Sequence, residues 1–498
     1  MRPICPFLPI MALAAACVGG GSPGSGPVPD ADPTALIRED VIRSDLVTLA
    51  GDHFRGREAG TMDELRASMW LAERARQAGL EPAGDDGTWF QFWPLKMVRL
   101  APTSTVTVGT TPLTFATEVI GVSLRTATVD GPIVLAGDGR PDTLDGLDLE
   151  GKVAVVRMSP PARVLPEKIS LRQARYAMAN VSERIPAIAA EKPLAIVLVA
   201  DAVADSGWEF VAGLEGTYGL EFNESLLGVQ PSVPVLWVRQ RTLPLLSAPG
   251  QRFKATLIAE RTVFPSVNVV ARVRGTDPAL RDEYVLFSAH QDHDGIKAPV
   301  AGDSIWNGAD DNASVAVGIL AIGRAWAKQP ARRSALFVWH GAEEKGLLGS
   351  RYHAANPVVP LNSITAVLNA DMIGANSPDS ASLLGAQPPH LNSRELADMG
   401  LRANELVGRF ALDTLWDRPT HPEGWYFRSD HVPYARLGIP SLYFSSLPHP
   451  LYHTPLDDPA HINYAKVTRI TRWMSATGWM AANAPERVRP LSGVRPER

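Results

Sequence analysis

From about residue 263 onward, short apolar segments alternate with longer segments that favour helices, and this alternation constrains the fold more than any other feature. The continuously apolar segments are typical of strands buried on both faces, and they lie at 284–289, 334–340, 364–370 and 440–445. The segments that predict helices lie at 312–328, 347–355, 392–409 and 464–483. The sequence therefore predicts an α/β fold with a mixed, mainly parallel sheet covered by helices on both faces.

The first part of the chain divides into a helical segment and a β-rich segment. Residues 34–82 have the apolar spacing of helices, and Gly79 is a plausible helix end. From about 100 to 260, short β-rich runs alternate with Gly and Asp turns, interrupted by one helical stretch near 168–190. We therefore predict one domain made of 34–99 and 263–485, an inserted β-rich domain at 100–262, and a C-terminal tail at 486–498.

The leader indicates export. Arg2 precedes a short apolar stretch, and small residues follow it, so we interpret residues 1–17 as a signal peptide. The run that ends at Cys17 resembles a bacterial lipobox, in which Cys17 would be lipidated and attach the protein to a membrane; the alternative is ordinary cleavage nearby. Residues 18–33 are rich in Gly, Ser and Pro and predict a flexible linker. We expect a periplasmic or outer-membrane-anchored lipoprotein, or alternatively a secreted protein.

Charge and cysteine content exclude several classes. The net charge is −5, which argues against a nucleic-acid-binding protein because such proteins usually carry a basic domain or stripe. Both cysteines, Cys5 and Cys17, lie in the leader, so the folded body has neither a disulfide nor a thiolate metal ligand. A metal site in the body must use His, Asp and Glu. The metalloprotease motif H-E-x-x-H is missing from the sequence, and the predicted folded body from residue 34 onward contains no serine-hydrolase elbow G-x-S-x-G.

Acidic and imidazole side chains follow three of the predicted strands. His290 and Asp292 follow the first, Glu343 and Glu344 the second, and Asp371 the third. Ligands of open α/β sheets bind beyond the carboxyl ends of the strands, so we expect these groups to converge. The pair Asp310-Asp311 before a helix and the late His453 add to the set.

Each of these residues alone has an ordinary explanation, such as a helix cap or a solvated turn. Together they indicate a cation site, because carboxylates packed against one another repel unless cations compensate their charge. Two His and three carboxylates suit zinc or a similar divalent ion. Five ligands exceed the needs of one catalytic zinc and suit a pair of metals that shares a carboxylate, leaving one glutamate as a general base.

The motifs resemble those of metallopeptidase family 28, the co-catalytic di-zinc aminopeptidases. The resemblance rests on six stretches in the family's order: AHQDHDG (289–295), NGADDNAS (307–314), HGAEEKGLLGS (340–350), NADMIG (369–374), SDHVPYARLGIPSLYF (429–444) and YHTPLD (452–457). FRGREAGT (54–61) resembles the segment that opens the family's catalytic domain. DLEGKVAVVR (148–157) and VPVLWVR (233–239) resemble, more weakly, a protease-associated domain inserted in one branch of the family.

The resemblance implies two Zn²⁺ ions per chain and a role for each ligand. His290, Asp310 and Asp371 would hold one ion. Asp310, Glu344 and His453 would hold the other, so that Asp310 bridges the pair.

The resemblance also implies roles for residues that do not bind metal. Glu343 would be the general base, Asp292 would fix the tautomer of His290, and Tyr452 would donate a hydrogen bond to the oxyanion. His293 and His431 match positions that are not ligands, and Asp430 matches a recurring Asp of undefined role.

The function implied is removal of N-terminal residues from peptides by an exported metallo-aminopeptidase. A carboxypeptidase or dipeptidase on the same di-zinc site is the alternative within enzymes, since spacing cannot show how a substrate terminus is held. The full ligand set disfavours a one-zinc glutaminyl cyclase. It also disfavours a non-catalytic relative that acts as a binding protein. Side-chain preference and oligomeric state stay open.

Overall fold

The structure is a computed structural model that describes residues 33–158, 184–206, 208, 220–222, 231–300, 302–421 and 423–494. Its strands, numbered in chain order, are β1 Glu81–Pro82, β2 Phe90–Leu100, β3 Thr105–Val108, β4 Thr111–Leu113, β5 Val119–Ser123, β6 Ala127–Leu135, β7 Val153–Arg157, β8 Ala195–Val199, β9 Leu220–Phe222, β10 Val235–Val238, β11 Arg252–Leu257, β12 Ala259–Val273, β13 Tyr284–His290, β14 Gly295–Val300, β15 Asp303–Trp306, β16 Ser334–His340, β17 Ile364–Ala370, β18 Ser380–Leu384, β19 Ala411–Leu412 and β20 Ser441–Ser445.

The α-helices of the described residues are α1 Glu39–Leu49, α2 Met62–Gln77, α3 Pro141–Leu144, α4 Ile185–Ala190, α5 Ala202–Ser206, α6 Leu243–Leu246, α7 Ser314–Lys328, α8 Leu348–Ala355, α9 Arg394–Ala403, α10 Val432–Arg436 and α11 Tyr464–Asn483. Within this described part of the chain, we find no helix with the length and apolarity that crossing a membrane requires.

The larger sheet has ten strands, with the main order β19-β18-β20-β17-β13-β16-β12-β2-β9. Its centre is parallel: β13 pairs with both β16 and β17, and β17 pairs with β20. Antiparallel strands flank this centre, with β12 beside β16 and β18 beside β20. All residues of β13, β16 and β17 are buried, which explains their continuously apolar sequences.

Helices cover both faces of this sheet. On one face, α1, α2, α7, α9 and α11 pack against side chains such as Phe287, Phe337 and Leu368 in the largest apolar core. On the other face, α8 and α10 bury alternate residues of the same strands, including Leu286 and Val338. The predicted fold, a mixed sheet with a parallel centre and helices on both sides, is confirmed.

The smaller sheet is built from residues 105–257 and has its own cores. Its eight strands have the order β4-β3-β11-β6-β7-β8-β10-β5, and one apolar cluster lies on each of its faces. The long antiparallel pair of β2 and β12 leads the chain into this region and back out. The sheet falls within the segment predicted as an inserted domain; its assignment as a protease-associated domain stays a prediction.

Some predictions fall on residues outside the described ranges. These are the signal peptide at 1–17 with its lipobox, nearly all of the linker at 18–33, and most of the helical stretch near 168–190, of which Ile185–Ala190 is described as α4.

The N-terminal segment 34–82, predicted to be helical, contains the helices α1 and α2. Thr61 caps α2 by accepting hydrogen bonds from the backbone N–H groups of Asp63 and Glu64, and Gly79 follows the helix with φ +89°.

Candidate metal centre

The parallel centre of the larger sheet brings the predicted site residues to one edge. His290 is the last residue of β13, and it pairs in register with His340 at the end of β16. The loop after β16 carries Glu343 and Glu344, and Asp371 follows β17 directly. Because these strands are parallel neighbours, their carboxyl ends open into the same loops, as the sequence predicts.

His290 forms one half of the cluster. Its Nε2 lies 3.1 Å from a carboxylate oxygen of Asp311, 3.5 Å from Asp371 and 3.8 Å from Glu343. All four side chains are almost completely buried. This half therefore presents one imidazole nitrogen and three carboxylates toward a common point.

His453 forms the other half. Its Nε2 lies 3.3 Å from the second carboxylate oxygen of Asp311 and 3.3 Å from Glu344. The carboxylate of Asp311 thus stands between the two histidines, with one oxygen toward each. This is the position that a carboxylate shared by two metals must occupy.

The predicted bridging residue, Asp310, does not reach the cluster and is corrected to its neighbour Asp311. One oxygen of Asp310 accepts a hydrogen bond from the backbone N–H of Gly374 at 2.5 Å, and the other lies 3.3 Å from Nε2 of His449. Asp311 has an extended backbone, with φ −104° and ψ 91°, so the side chains of this pair diverge. The adjacent acids could not be distinguished without knowing this local conformation.

Gly308 directly precedes the turn Ala309–Ala313, which carries Asp310 and Asp311, and determines the direction in which the backbone enters it. It has φ +58°, and a Cβ at this position would lie 2.2 Å from the carbonyl oxygen of Asp311 and 2.4 Å from the His293 ring. Only glycine tolerates both the backbone conformation and the close approach.

The donor set fits divalent metal ions. Nε2 of His290, Nε2 of His453 and Oδ1 of Asp371 are buried, and none of them forms a hydrogen bond within the described part of the structure. Buried polar atoms are normally satisfied, so atoms that converge without partners indicate a ligand. Imidazole and carboxylate donors without thiolates suit zinc or a similar ion.

The charge of the site supports the same conclusion. Burial raises the pKa of Glu343 well above its usual range, and the neighbouring carboxylates of Glu344 and Asp371 raise it further, against the opposing effect of His290. A cation among these groups would stabilise their ionised forms.

Asp292 contacts His290 differently from the prediction. The carbonyl oxygen of Asp292 lies 3.2 Å from Nδ1 of His290, whereas its carboxylate is 3.9 Å away. That carboxylate accepts hydrogen bonds from the backbone N–H groups of Glu343 at 3.0 Å and Glu344 at 3.4 Å. The backbone of Asp292 thus orients the imidazole, and its side chain holds the loop that carries the two glutamates.

Two residues beside the second histidine were not assigned a role from sequence. Asp294 lies 2.6 Å from Nδ1 of His453, the geometry by which a carboxylate fixes the tautomer of a ligating histidine. His293, set aside as a non-ligand, has Nδ1 2.9 Å from Glu344. The run of alternating acids and histidines after β13 is the signal that could have identified both.

Arg57 lies behind the cluster and is 1% exposed. It donates to the backbone carbonyls of Gln291 at 2.7 Å, Asn307 at 2.6 Å, Gly308 at 3.0 Å and Leu49 at 3.1 Å. Its cation therefore joins the loop after β13 to the loop before Asp311. Its place in the stretch FRGREAGT could have suggested such a role.

Tyr452 and Asp430 border the cluster. The ring of Tyr452 is half-buried and lies 4.1 Å from that of His453 and 6.3 Å from Trp425, measured between centroids. Asp430 is fully buried, and burial raises its pKa to about 7. His431 packs against the aromatic rings of Tyr426 and Tyr443, at centroid distances of 4.7 and 4.8 Å.

Comparison with known proteins finds a family model that matches this region. Residues 268–478 match the model of Peptidase family M28. A probable leucine aminopeptidase from Arthroderma otae is 27% identical over 256 residues, which cover 49% of this chain and 63% of that protein. The match thus spans less than two thirds of that relative's length.

Two solved structures share the fold. An aminopeptidase from Aneurinibacillus sp. strain AM-1 superposes with a TM-score of 0.61 at 18% identity, covering 94% of this chain and 98% of that one. A zinc aminopeptidase from Bacillus subtilis gives a TM-score of 0.58 at 19% identity, covering 92% and 99%. The similarity extends across both sheets of this chain rather than the family-matched region alone.

Proposed function

We propose that the protein is a metallo-aminopeptidase that removes N-terminal residues from peptides, since residues 268–478 match the model of Peptidase family M28. The observation that carries the proposal is the convergence of His290, His453 and Asp311 with further carboxylates at the carboxyl edge of the sheet. The aminopeptidases among the similar proteins favour cleavage at the N-terminus.

We propose that the site holds two Zn²⁺ ions. His290 and Asp371 would ligate one ion, Glu344 and His453 the other, and Asp311 would bridge them. When bound, the ions would polarise the scissile carbonyl and lower the pKa of an attacking water.

In this proposal Glu343 would move the proton. Its carboxylate is 3.8 Å from Nε2 of His290, and its backbone N–H is held by Asp292. Glu343 would accept a proton from the attacking water and deliver it to the leaving amine. Tyr452, beside His453, would donate its hydroxyl hydrogen to the developing oxyanion. Acidic groups near the metal ions would hold the charged N-terminal amine of a peptide.

The test is mass spectrometry of a defined peptide pool. The purified protein is incubated with free and N-acetylated versions of each peptide, with and without a chelator. We expect stepwise loss from free N-termini only, stopped by acetylation and by the chelator. Trimming from the C-terminus would establish the carboxypeptidase alternative, and activity confined to dipeptides would establish a dipeptidase. Cleavage that persists with the chelator would refute the metal assignment.

We also propose export, with attachment to a membrane through lipidated Cys17. The support is the leader sequence alone. Cell fractionation tests it: the protein should appear in the envelope or the medium. A full-length protein found only in the cytoplasm would contradict export.

A further inference from the structure

We propose that Asp457 is a positioning residue that sets the location of the bridging carboxylate of Asp311, and that metal affinity depends on it. This inference rests on the proposed function. Asp457 lies outside the set of atoms that face the metal centre, and it is 1% exposed.

Asp457 accepts hydrogen bonds from three consecutive amides of the turn that carries Asp311. Its carbonyl oxygen accepts from the N–H of Ala309 at 2.9 Å, Oδ1 from Asp310 at 2.8 Å, and Oδ2 from Asp311 at 3.0 Å. Hydrogen bonds to a charged acceptor are the strong ones. A single residue therefore fixes the position and the orientation of this turn.

The same residue belongs to the loop of a metal ligand. His453 precedes Asp457 by four positions, and the N–H of Asp457 donates to the carbonyl of Thr454 at 3.1 Å. Asp457 thus couples the loop of His453 to the turn of Asp311. A shift at Asp457 would move these two ligands relative to one another.

Asp292 uses its carboxylate in the same way at the loop that follows β16. It accepts from the successive N–H groups of Glu343 and Glu344, as Asp457 does from those of Asp310 and Asp311. In both places a buried carboxylate spans the amides of two adjacent acids, of which the second faces His453. The repeated geometry indicates a common means of aiming an acidic ligand.

Asp457→Asn isolates this role, because it preserves volume while replacing one acceptor oxygen with an amide that donates. One of the two N–H groups would then face another donor. The matched control is Asp458→Asn. The Asp458 side chain is partly exposed, and its carboxylate accepts from the N–H of Ala460 at 2.8 Å and lies 2.9 Å from Nδ1 of His461 rather than contacting the turn of Asp311.

The readout is Zn²⁺ binding by the metal-free full-length protein, titrated in competition with a chromogenic chelator, with folding checked by circular dichroism. We expect wild type and Asp458→Asn to bind two ions with similar affinity. We expect Asp457→Asn to bind about 10- to 100-fold more weakly, the usual effect of losing a partner that orients metal ligands. If Asp457→Asn does not fold, Asp457→Glu, which displaces the oxygens by one methylene, is measured with the same expectation.

The outcomes separate the two proposals. If wild type binds two ions and the folded Asp457 variant binds them with unchanged affinity, the positioning role is overturned while the proposed function stands. If wild type binds no zinc, the proposed function fails and this inference falls with it. An equal loss in Asp457→Asn and Asp458→Asn would also overturn it, because the effect would not be specific to the turn of Asp311.

Discussion

Arg57 offers a quantitative test of how the site is held together. Its guanidinium donates from Nε, Nη1 and Nη2 to four backbone carbonyls at 2.6–3.1 Å. Burial lowers the pKa of Arg57 to about 10, and nearby carboxylates, Asp292 first among them, oppose this lowering, so the side chain stays charged at neutral pH. Arg57→Lys keeps the charge but gathers the donors on one nitrogen.

The lysine ammonium cannot reach acceptors that arginine serves from three separate nitrogens, so at least two of the four carbonyls lose their partner. Each buried acceptor left without a hydrogen bond costs about 1–3 kcal/mol. The expected loss is therefore about 2–6 kcal/mol, a large part of the roughly 5–15 kcal/mol by which proteins are stable.

Urea unfolding of the metal-free protein measures this loss, since bound metal would mask it. The control is Arg55→Lys, because Arg55 is exposed and contacts Asp63 at 3.4 Å on the surface; such a change typically costs under about 0.5 kcal/mol. If Arg57→Lys has the same m-value as wild type and lies within about 0.5 kcal/mol of it, the four carbonyl bonds do not hold these loops.

Three further predictions address the site and its surroundings. Glu343→Gln should retain zinc while losing about 10²- to 10⁴-fold in kcat, measured with a peptide substrate; normal turnover would refute its role as general base. Asp311→Asn should abolish binding of the second zinc, whereas Asp310→Asn should retain both ions by metal analysis; the reverse result would restore Asp310 as the bridge. His353 is buried, and burial lowers its pKa to about 4, so the unfolded chain binds more protons between about pH 4 and 6.5 and stability falls as pH falls through this window. His353→Gln should reduce the stability loss between pH 7 and 5 by about 2 kcal/mol in urea unfolding, and an unchanged loss would contradict this.

The sequence determined the bounds of several strands and one helix of the region built on the larger sheet. The predicted segments 334–340, 364–370 and 464–483 are β16, β17 and α11 with the same bounds. These elements are buried over most of their length, so their composition depends little on what surrounds them. By contrast, 392–409 is α9 only as far as Ala403 and then a separate turn, Asn404–Gly408, because the last turn of a helix depends on local contacts.

The sequence also placed most of the candidate site. The strands that end at or just before these residues are parallel neighbours, and the residues are His290, Glu343, Glu344 and Asp371. Because the carboxyl ends of parallel neighbours meet at one edge of the sheet, the order of the strands is enough to predict that these side chains lie close together. His453 was assigned to the site because of its motif, YHTPLD, and in the structure it faces Asp311 and Glu344.

Only the tertiary structure decided which of two adjacent acids faces the histidines. Asp310 and Asp311 are chemically equivalent in the sequence, and the extended backbone at Asp311, held by Asp457, turns one toward the site and the other toward His449. The contacts of Arg57 were hidden for the same reason, since its acceptors at 307 and 308 lie 250 and 251 residues away along the chain. Composition and order specify which strands are buried and what chemistry their ends carry. The direction of a side chain in a loop depends on hydrogen bonds between distant segments, which exist only once the chain has folded.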